Sequence, residues 1–379
     1  MANVGQTPPT IIAPPVTNTP LPLPDLPTLY ESSDLAKYWD GPVSDMVNVD
    51  WTSCEIPEDL NTEVGRERHR IYCFLLMKLI RRFWNGNKRG PLGEYPRRKK
   101  QELVAGRYRG DMFDPPVPDP LRVNWDRYLG HNIACLAVDG KGEIIDFEFN
   151  HNDFFRSSAE HAESRMVRRL FGLTDIRDSW RTGREIPEKS RAFALKDVTL
   201  YTSLESCAQC SGVMSLGRVK QVIYLQNDPG AYQVGNIMYN LAGRQADDQT
   251  ALAAIPVPAS LIGLPHYGAL NRGYAHFMTD ITDAKLKSDQ TRAFYIPPSF
   301  MPNPRIDYDP SITSFLCTDV ALEIFEDGAK YLDPSQVAHP TCQYRSTPGT
   351  LTNAQVLAEA MEFFKYADVE GFRGSPHRL

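Results

Sequence analysis

One histidine and two cysteines in this chain are spaced as zinc ligands. His161 opens the triplet His161-Ala162-Glu163, and Cys207 and Cys210 bracket Ala208-Gln209. An imidazole nitrogen and two thiolates supply three ligands and leave the fourth tetrahedral position for water, as in a catalytic rather than a closed structural site. Zinc lowers the pKa of bound water from about 16 towards about 7, so hydroxide is available at neutral pH. Glu163 lies too close to the histidine to be a fourth ligand and is placed to shuttle protons. The chemistry expected of this set is hydrolytic, with hydroxide attacking an electrophilic carbon. Taken singly, the pieces have plainer explanations. A lone C-x-x-C also fits a redox pair or half of a structural zinc site, and H-A-E is common by chance. Their order and separation favour the joint, catalytic explanation.

Such a site needs its ligands at the ends of rigid elements. The cysteine spacing puts both thiols on one helical turn and predicts a helix from Ala208 to Leu216, whose N-terminal partial positive charge favours thiolates. His161 and Glu163 open another helix, with Ala162, Met166, Val167 and Leu170 at helical spacing on its buried face. Asn132 to Ile145 reads as two strands joined by a tight turn. Residues 62 to 84 read as a helix with an apolar centre from Ile71 to Ile80. Val320 to Tyr331 and Asn353 to Tyr366 read as two more, and the stripe Val356, Leu357, Met361 and Phe364 on the second is expected in the core. Pro297 to Pro310 reads as a wrapping loop, and His266, His276, His339 and His377 show no paired ligand spacing.

H-x-E followed by P-C-x-x-C is the signature of zinc-dependent nucleobase deaminases, and this chain resembles it with Ser206 at the proline. Leu200 to Cys210 (LYTSLESCAQC) is similar to the strand and zinc turn written TLEPCxxC. Ser211 to Tyr224 resembles the helix and strand that follow, and Asp228-Pro229 through Gly235 a characteristic loop. Residues 130 to 245 thus resemble the cytidine deaminase superfamily, most closely its tRNA adenosine deaminase branch and guanine deaminase relatives. The resemblance implies an α/β fold, a three-layer α/β/α domain with a mixed sheet of about five strands and N- and C-terminal extensions. It also implies Zn2+ held by His161, Cys207 and Cys210 between two helix N-termini, Glu163 as proton shuttle, Asn150 on the ring of the base, and a homodimer. From the residues alone Asn150 also fits a turn. Three features depart from the pattern: Ser206; Glu160, where a small residue is usual before the histidine; and a longer gap from Glu163 to Cys207, with a polar insertion around Asp175 to Ser190. They leave the zinc chemistry intact and bear on the substrate.

The 379 residues suffice for a large core and one or two domains. The expected divisions are a Pro-rich extended arm over 1–50, a basic and partly helical region over 51–128, the zinc domain over 129–245, and a C-terminal helical and loop extension over 246–379. At 23% charged and 42% hydrophobic the composition is ordinary for a globular protein. No apolar run is long enough for a membrane span, and the N-terminus lacks the pattern of a secretory signal. Seven cysteines, an odd number with two assigned to metal, point to free thiols in a reducing compartment, the cytoplasm or the nucleus. Arg66 to Gly110 holds fourteen Lys and Arg against three Glu in a chain of net charge −6. That asymmetry suggests an anionic partner. Phe83, Trp84, Tyr95 and Tyr108 interleave with the charges, as aromatics do where single-stranded nucleic acid is held, and Arg97, Arg98, Lys99 and Lys100 are the candidate contacts to nucleic acid or phosphate. The alternative is a basic face paired with acidic surface. The function expected is deamination of adenine or cytosine within RNA or single-stranded DNA. Alternatives are deamination of a free base, nucleoside or nucleotide, and a non-catalytic binding subunit on the same fold.

Overall fold

The computed structural model describes residues 43–49, 58–84, 89–90, 93–94, 131–152, 155, 157–172, 194–231, 233–243, 253–287, 294–296, 305–307, 311–333, 335, 338–343 and 349–370. The expectations for Arg97 to Lys100, for Tyr95 and Tyr108, for the insertion Asp175 to Ser190 and for the Pro-rich segment before residue 43 lie outside these residues.

β1 (Ala134–Val138) and β2 (Ile144–Phe149) form an antiparallel hairpin with Ala134 opposite Phe149. β1 also pairs antiparallel with β3 (Thr199–Thr202), while β4 (Gln221–Tyr224) and β5 (Ile255–Pro258) continue parallel to β3. The mixed sheet has the order β2-β1-β3-β4-β5. Every residue of β1, β3 and β4 is buried, which requires cover on both faces. Side chains alternate across β2: Phe147 and Phe149 meet Phe83 at the end of α1 (Glu63–Arg82), and Asp146 and Glu148 meet arginines of α2 (Ala162–Gly172). α1 and α2 therefore cover opposite faces, and the α/β class with a mixed five-stranded sheet is as expected. β5 lies past residue 245, so the sheet runs beyond the stretch 129–245. Pro256 and Pro258 fit there because β5 is an edge strand with no outer neighbour among the described residues to donate to.

α1 forms because Thr62 caps it, accepting the Gly65 N–H at 3.1 Å, and because Ile71 to Ile80 is apolar. The helix is buried almost all round, against the sheet and between α6 (Asp319–Lys330) and α7 (Asn353–Glu370). A methyl group on Gly328 of α6 would overlap Met77, so glycine is what lets α1 and α6 approach. The Tyr72 hydroxyl donates to the carbonyl of Gly142, which turns the β1–β2 hairpin at φ +89°. In α7, Val356 and Leu357 are buried and Met361 and Phe364 pack against the core as expected.

Two expectations are corrected here. Phe83 and Trp84 cannot stack on a nucleic acid, because they are 3% and 2% exposed and pack on Phe147, Phe149 and Phe325. Within the presumed loop Pro297 to Pro310, Arg305–Asp307 is a strand antiparallel to Phe294–Ile296, and Arg89–Gly90 and Gly93–Glu94 complete that small second sheet. The basic residues of α1 are used within the chain. Arg66 and Arg70 pair with Glu63, Arg81 with Glu326 and Arg82 with Asp368. Arg68 donates to Asn353 and the Leu351 carbonyl, and Lys78 lies over the Phe364 ring. Residues Val43–Val47 form a 3-10 turn, and the carbonyls of Met46, Val47 and Asn48 accept from Asn236 and Asn240 of α4 (Val234–Gly243). No helix among the described residues is long and apolar enough to cross a membrane.

Candidate metal centre

β2 and β3 both run antiparallel to β1, so their C-terminal ends lie at the same end of the sheet. The chain leaves β2 through Asn150 and reaches His161 immediately before α2. It leaves β3 through Ser203 to Ser206 and reaches Cys207, the N-cap of α3 (Ala208–Leu216), with Cys210 in the first turn. Two helix N-termini thus point their partial positive charges at one place. Cross-links fix this arrangement. Gln209 Nε2 donates to the Ala159 carbonyl at 2.9 Å, Ser164 Oγ lies 3.4 Å from Cys210 Sγ, and the His151 N–H donates to the Glu160 carbonyl at 2.9 Å.

His161, Cys207 and Cys210 come together with their ligand atoms all within 4.8 Å of one another. His161 Nδ1 is 3.4 Å from Cys207 Sγ and 3.6 Å from Cys210 Sγ. Tetrahedral zinc with Zn–S near 2.3 Å and Zn–N near 2.0 Å separates sulfur from nitrogen by about 3.6 Å, so the set fits that ion. Its electrostatics also suit a cation. The hydrogen bond from Cys210 and that with His161 bring the Cys207 thiol down to about 4, against burial. Its neighbour Cys210 is pushed well up by that same bond and by burial. The hydrogen bond to Cys207 raises His161. One thiolate beside a thiol and an imidazole has displaceable protons and negative charge for a metal to neutralise.

Glu163 sits beside this group and is 3% exposed. Its Oε2 accepts from Cys210 Sγ at 3.5 Å and its Oε1 from Ser206 Oγ at 3.2 Å. Burial raises its pKa, which favours a carboxyl that takes up a proton. Asn150 is buried, and its Oδ1 accepts the Ala162 N–H at 2.7 Å, capping α2. Its Nδ2 donors have no partner among the described residues, so the side chain pins the helix and keeps a donor to spare.

Glu160, the unusual residue before His161, has a definite place. It pairs with Arg165 and Arg168, both at 2.8 Å. Arg165 and Arg169 continue to Glu148, which is fully buried, and Arg169 also reaches Asp146. This ladder ties α2 to β2. Sequence reasoning missed it, although Arg165, Arg168 and Arg169 at helical spacing opposite Asp146 and Glu148 carried the signal. It also missed Glu205 and Asp228. Glu205 Oε2 accepts the Asp228 N–H at 3.0 Å, and burial raises Glu205 to about 7. Burial raises Asp228 too, with the Cys207 charge adding to the effect, so Asp228 lies in the field of Cys207.

No family model matches the chain. Among solved structures, a chain from "biochemical and structural studies of A-to-I editing by tRNA:A34 deaminases at the wobble position of transfer RNA" is similar at 19% identity, over 34% of this chain and 82% of that one, with a TM-score of 0.24.

Proposed function

We propose that this protein is a zinc-dependent hydrolytic deaminase of a nucleobase, adenine or cytosine within RNA or single-stranded DNA. The observation that carries the proposal is the convergence of His161, Cys207 and Cys210 beside a buried carboxyl, Glu163, at two helix N-termini. Zinc held there by His161, Cys207 and Cys210 would supply water acidified enough to attack C6 of adenine or C4 of cytosine. Glu163 takes the proton of the attacking water and delivers protons to the ring nitrogen and the leaving amine. Asn150, with Nδ2 unengaged, donates to the base. The N-termini of α2 and α3 hold the ligands in place and favour the thiolates. Arg97, Arg98, Lys99 and Lys100 contact the anionic backbone, and the active protein is a homodimer.

A second reading, deamination of a free base, nucleoside or nucleotide, has one observation in its favour. The cationic side chains of α1 are engaged with partners within the chain.

Both are tested by incubating the zinc-loaded protein with tRNA, single-stranded DNA, and free bases, nucleosides and nucleotides, and following the gain of about 1 Da when an amine becomes oxygen. Conversion within a polymer supports the first reading, and conversion of small molecules only supports the second. Glu163→Ala should abolish turnover while zinc is retained. Unchanged turnover in that variant refutes the mechanism.

A further inference from the structure

Ser206 stands where the resembled zinc turn carries proline, and its side chain lies against the proton shuttle. Its Oγ donates to Glu163 Oε1 at 3.2 Å, and both residues are 3% exposed. Proline has no donor to offer there. We propose that Ser206 is a positioning residue whose hydroxyl fixes the Glu163 carboxylate for proton transfer, an inference that rests on the deaminase reading above.

Two side chains donate to that carboxylate, Ser206 to Oε1 and Cys210 to Oε2. The Ser206 hydroxyl is the shorter of the two contacts, 3.2 Å against 3.5 Å, and the stronger donor, since a thiol donates only weakly. The terminal torsion of a glutamate is broad and roughly two-fold, so packing alone fixes its carboxylate plane weakly. A directed hydrogen bond to one oxygen does what packing does not: it holds Oε1 and presents Oε2 towards the metal centre. The Ser206 backbone carbonyl accepts from Ser211 Oγ at 3.4 Å, a bond that a proline there would also make, so what serine adds is its side-chain donor. The departure from the pattern thus has a function at the atom that moves the proton.

The test uses the full-length zinc-loaded protein and Ser206→Ala, Ser206→Thr and Ser206→Pro, each checked for bound zinc by metal analysis. Ser206→Ala should lower kcat about tenfold, the worth of one hydrogen bond to a charged group, with KM within about twofold. Ser206→Thr keeps the hydroxyl and should restore kcat. Ser206→Pro restores the usual turn residue without a donor and should behave as Ser206→Ala, so it serves if the alanine variant does not fold. Wild-type kcat in either donor-less variant overturns the proposal. A second measurement is independent of turnover, namely crystal structures of the zinc-loaded wild type and a donor-less variant. Glu163 should hold one orientation in the wild type and move or split in the variant, and the same single orientation in both overturns the proposal. If the wild type converts no member of the substrate panel, the deaminase reading fails, and the crystallographic comparison still decides the role of Ser206.

Discussion

Replacing Glu148 with alanine should cost more stability than any other single truncation in the ladder that ties α2 to β2. Glu148 is 0% exposed, its Oε2 accepts from Arg165 Nε at 3.2 Å and its Oε1 from Arg169 Nη1 at 2.8 Å. Removing one partner of a buried ion pair costs about 3–5 kcal/mol, because a charge is left without compensation in a poorly solvated place. Each arginine keeps a second carboxylate, Arg165 with Glu160 and Arg169 with Asp146, which puts the expected loss at the lower end, about 3 kcal/mol. Glu160→Ala is the control. Its partner Arg168 is 58% exposed, so water replaces much of that pair, while Arg165, 9% exposed, loses one carboxylate and keeps Glu148; the loss should be smaller than for Glu148→Ala, about 1–2 kcal/mol. Urea unfolding measures both, as a lower midpoint at unchanged slope. A loss below about 1 kcal/mol for Glu148→Ala, or equal losses for the two variants, would refute the claim that the buried member of the ladder anchors α2.

Two further expectations concern the metal centre and acid stability. His161→Ala, Cys207→Ser and Cys210→Ser should each reduce bound zinc from about one ion per chain to a small fraction of that by elemental analysis; full occupancy in any of them would remove that residue from the ligand set. His69 is wholly buried, and burial depresses it from 6.5 to about 3. Between those values the unfolded chain binds a proton that the folded chain does not, so stability falls as the pH drops below about 6.5, by up to about 1.4 kcal/mol per pH unit. His69→Gln should flatten that limb of the stability–pH curve, and an unchanged slope between about pH 6.5 and pH 5 would assign the acid sensitivity to other groups.

The elements that hold the ligands were legible because each carries a local signal. Ala208–Leu216 follows from the cysteine spacing, and α1 from its largely apolar centre. Elements that depend on position in the sheet were not. Ile255–Pro258 holds two prolines in four residues, a pattern that argues against a strand until the strand is known to be at an edge. Phe83 and Trp84 follow basic residues at a helix end, and only the approach of β2 and α6 distinguishes a core contact from a stacking surface. At the site, residue types pointed to His161, Cys207, Cys210 and Glu163, which the fold brings together. The hydroxyl of Ser206 and the carboxylate of Glu160 stood out only as departures from a pattern, since a side chain's partner is a property of three dimensions.

The common end of the sheet at which α2 and α3 begin has a consequence for how this chain can vary. His161 and Cys207 are 46 residues apart, yet each is anchored to its own strand, and those strands are paired through β1 whatever lies between. The connection from α2 to β3 need only span two fixed points, and doubling the length of a flexible loop adds about 0.6 kcal/mol of closure entropy. Insertions between Gly172 and Leu195 are therefore cheap for the metal centre. Length can thus change in this stretch of the chain while His161, Cys207, Cys210 and Glu163 stay where they are.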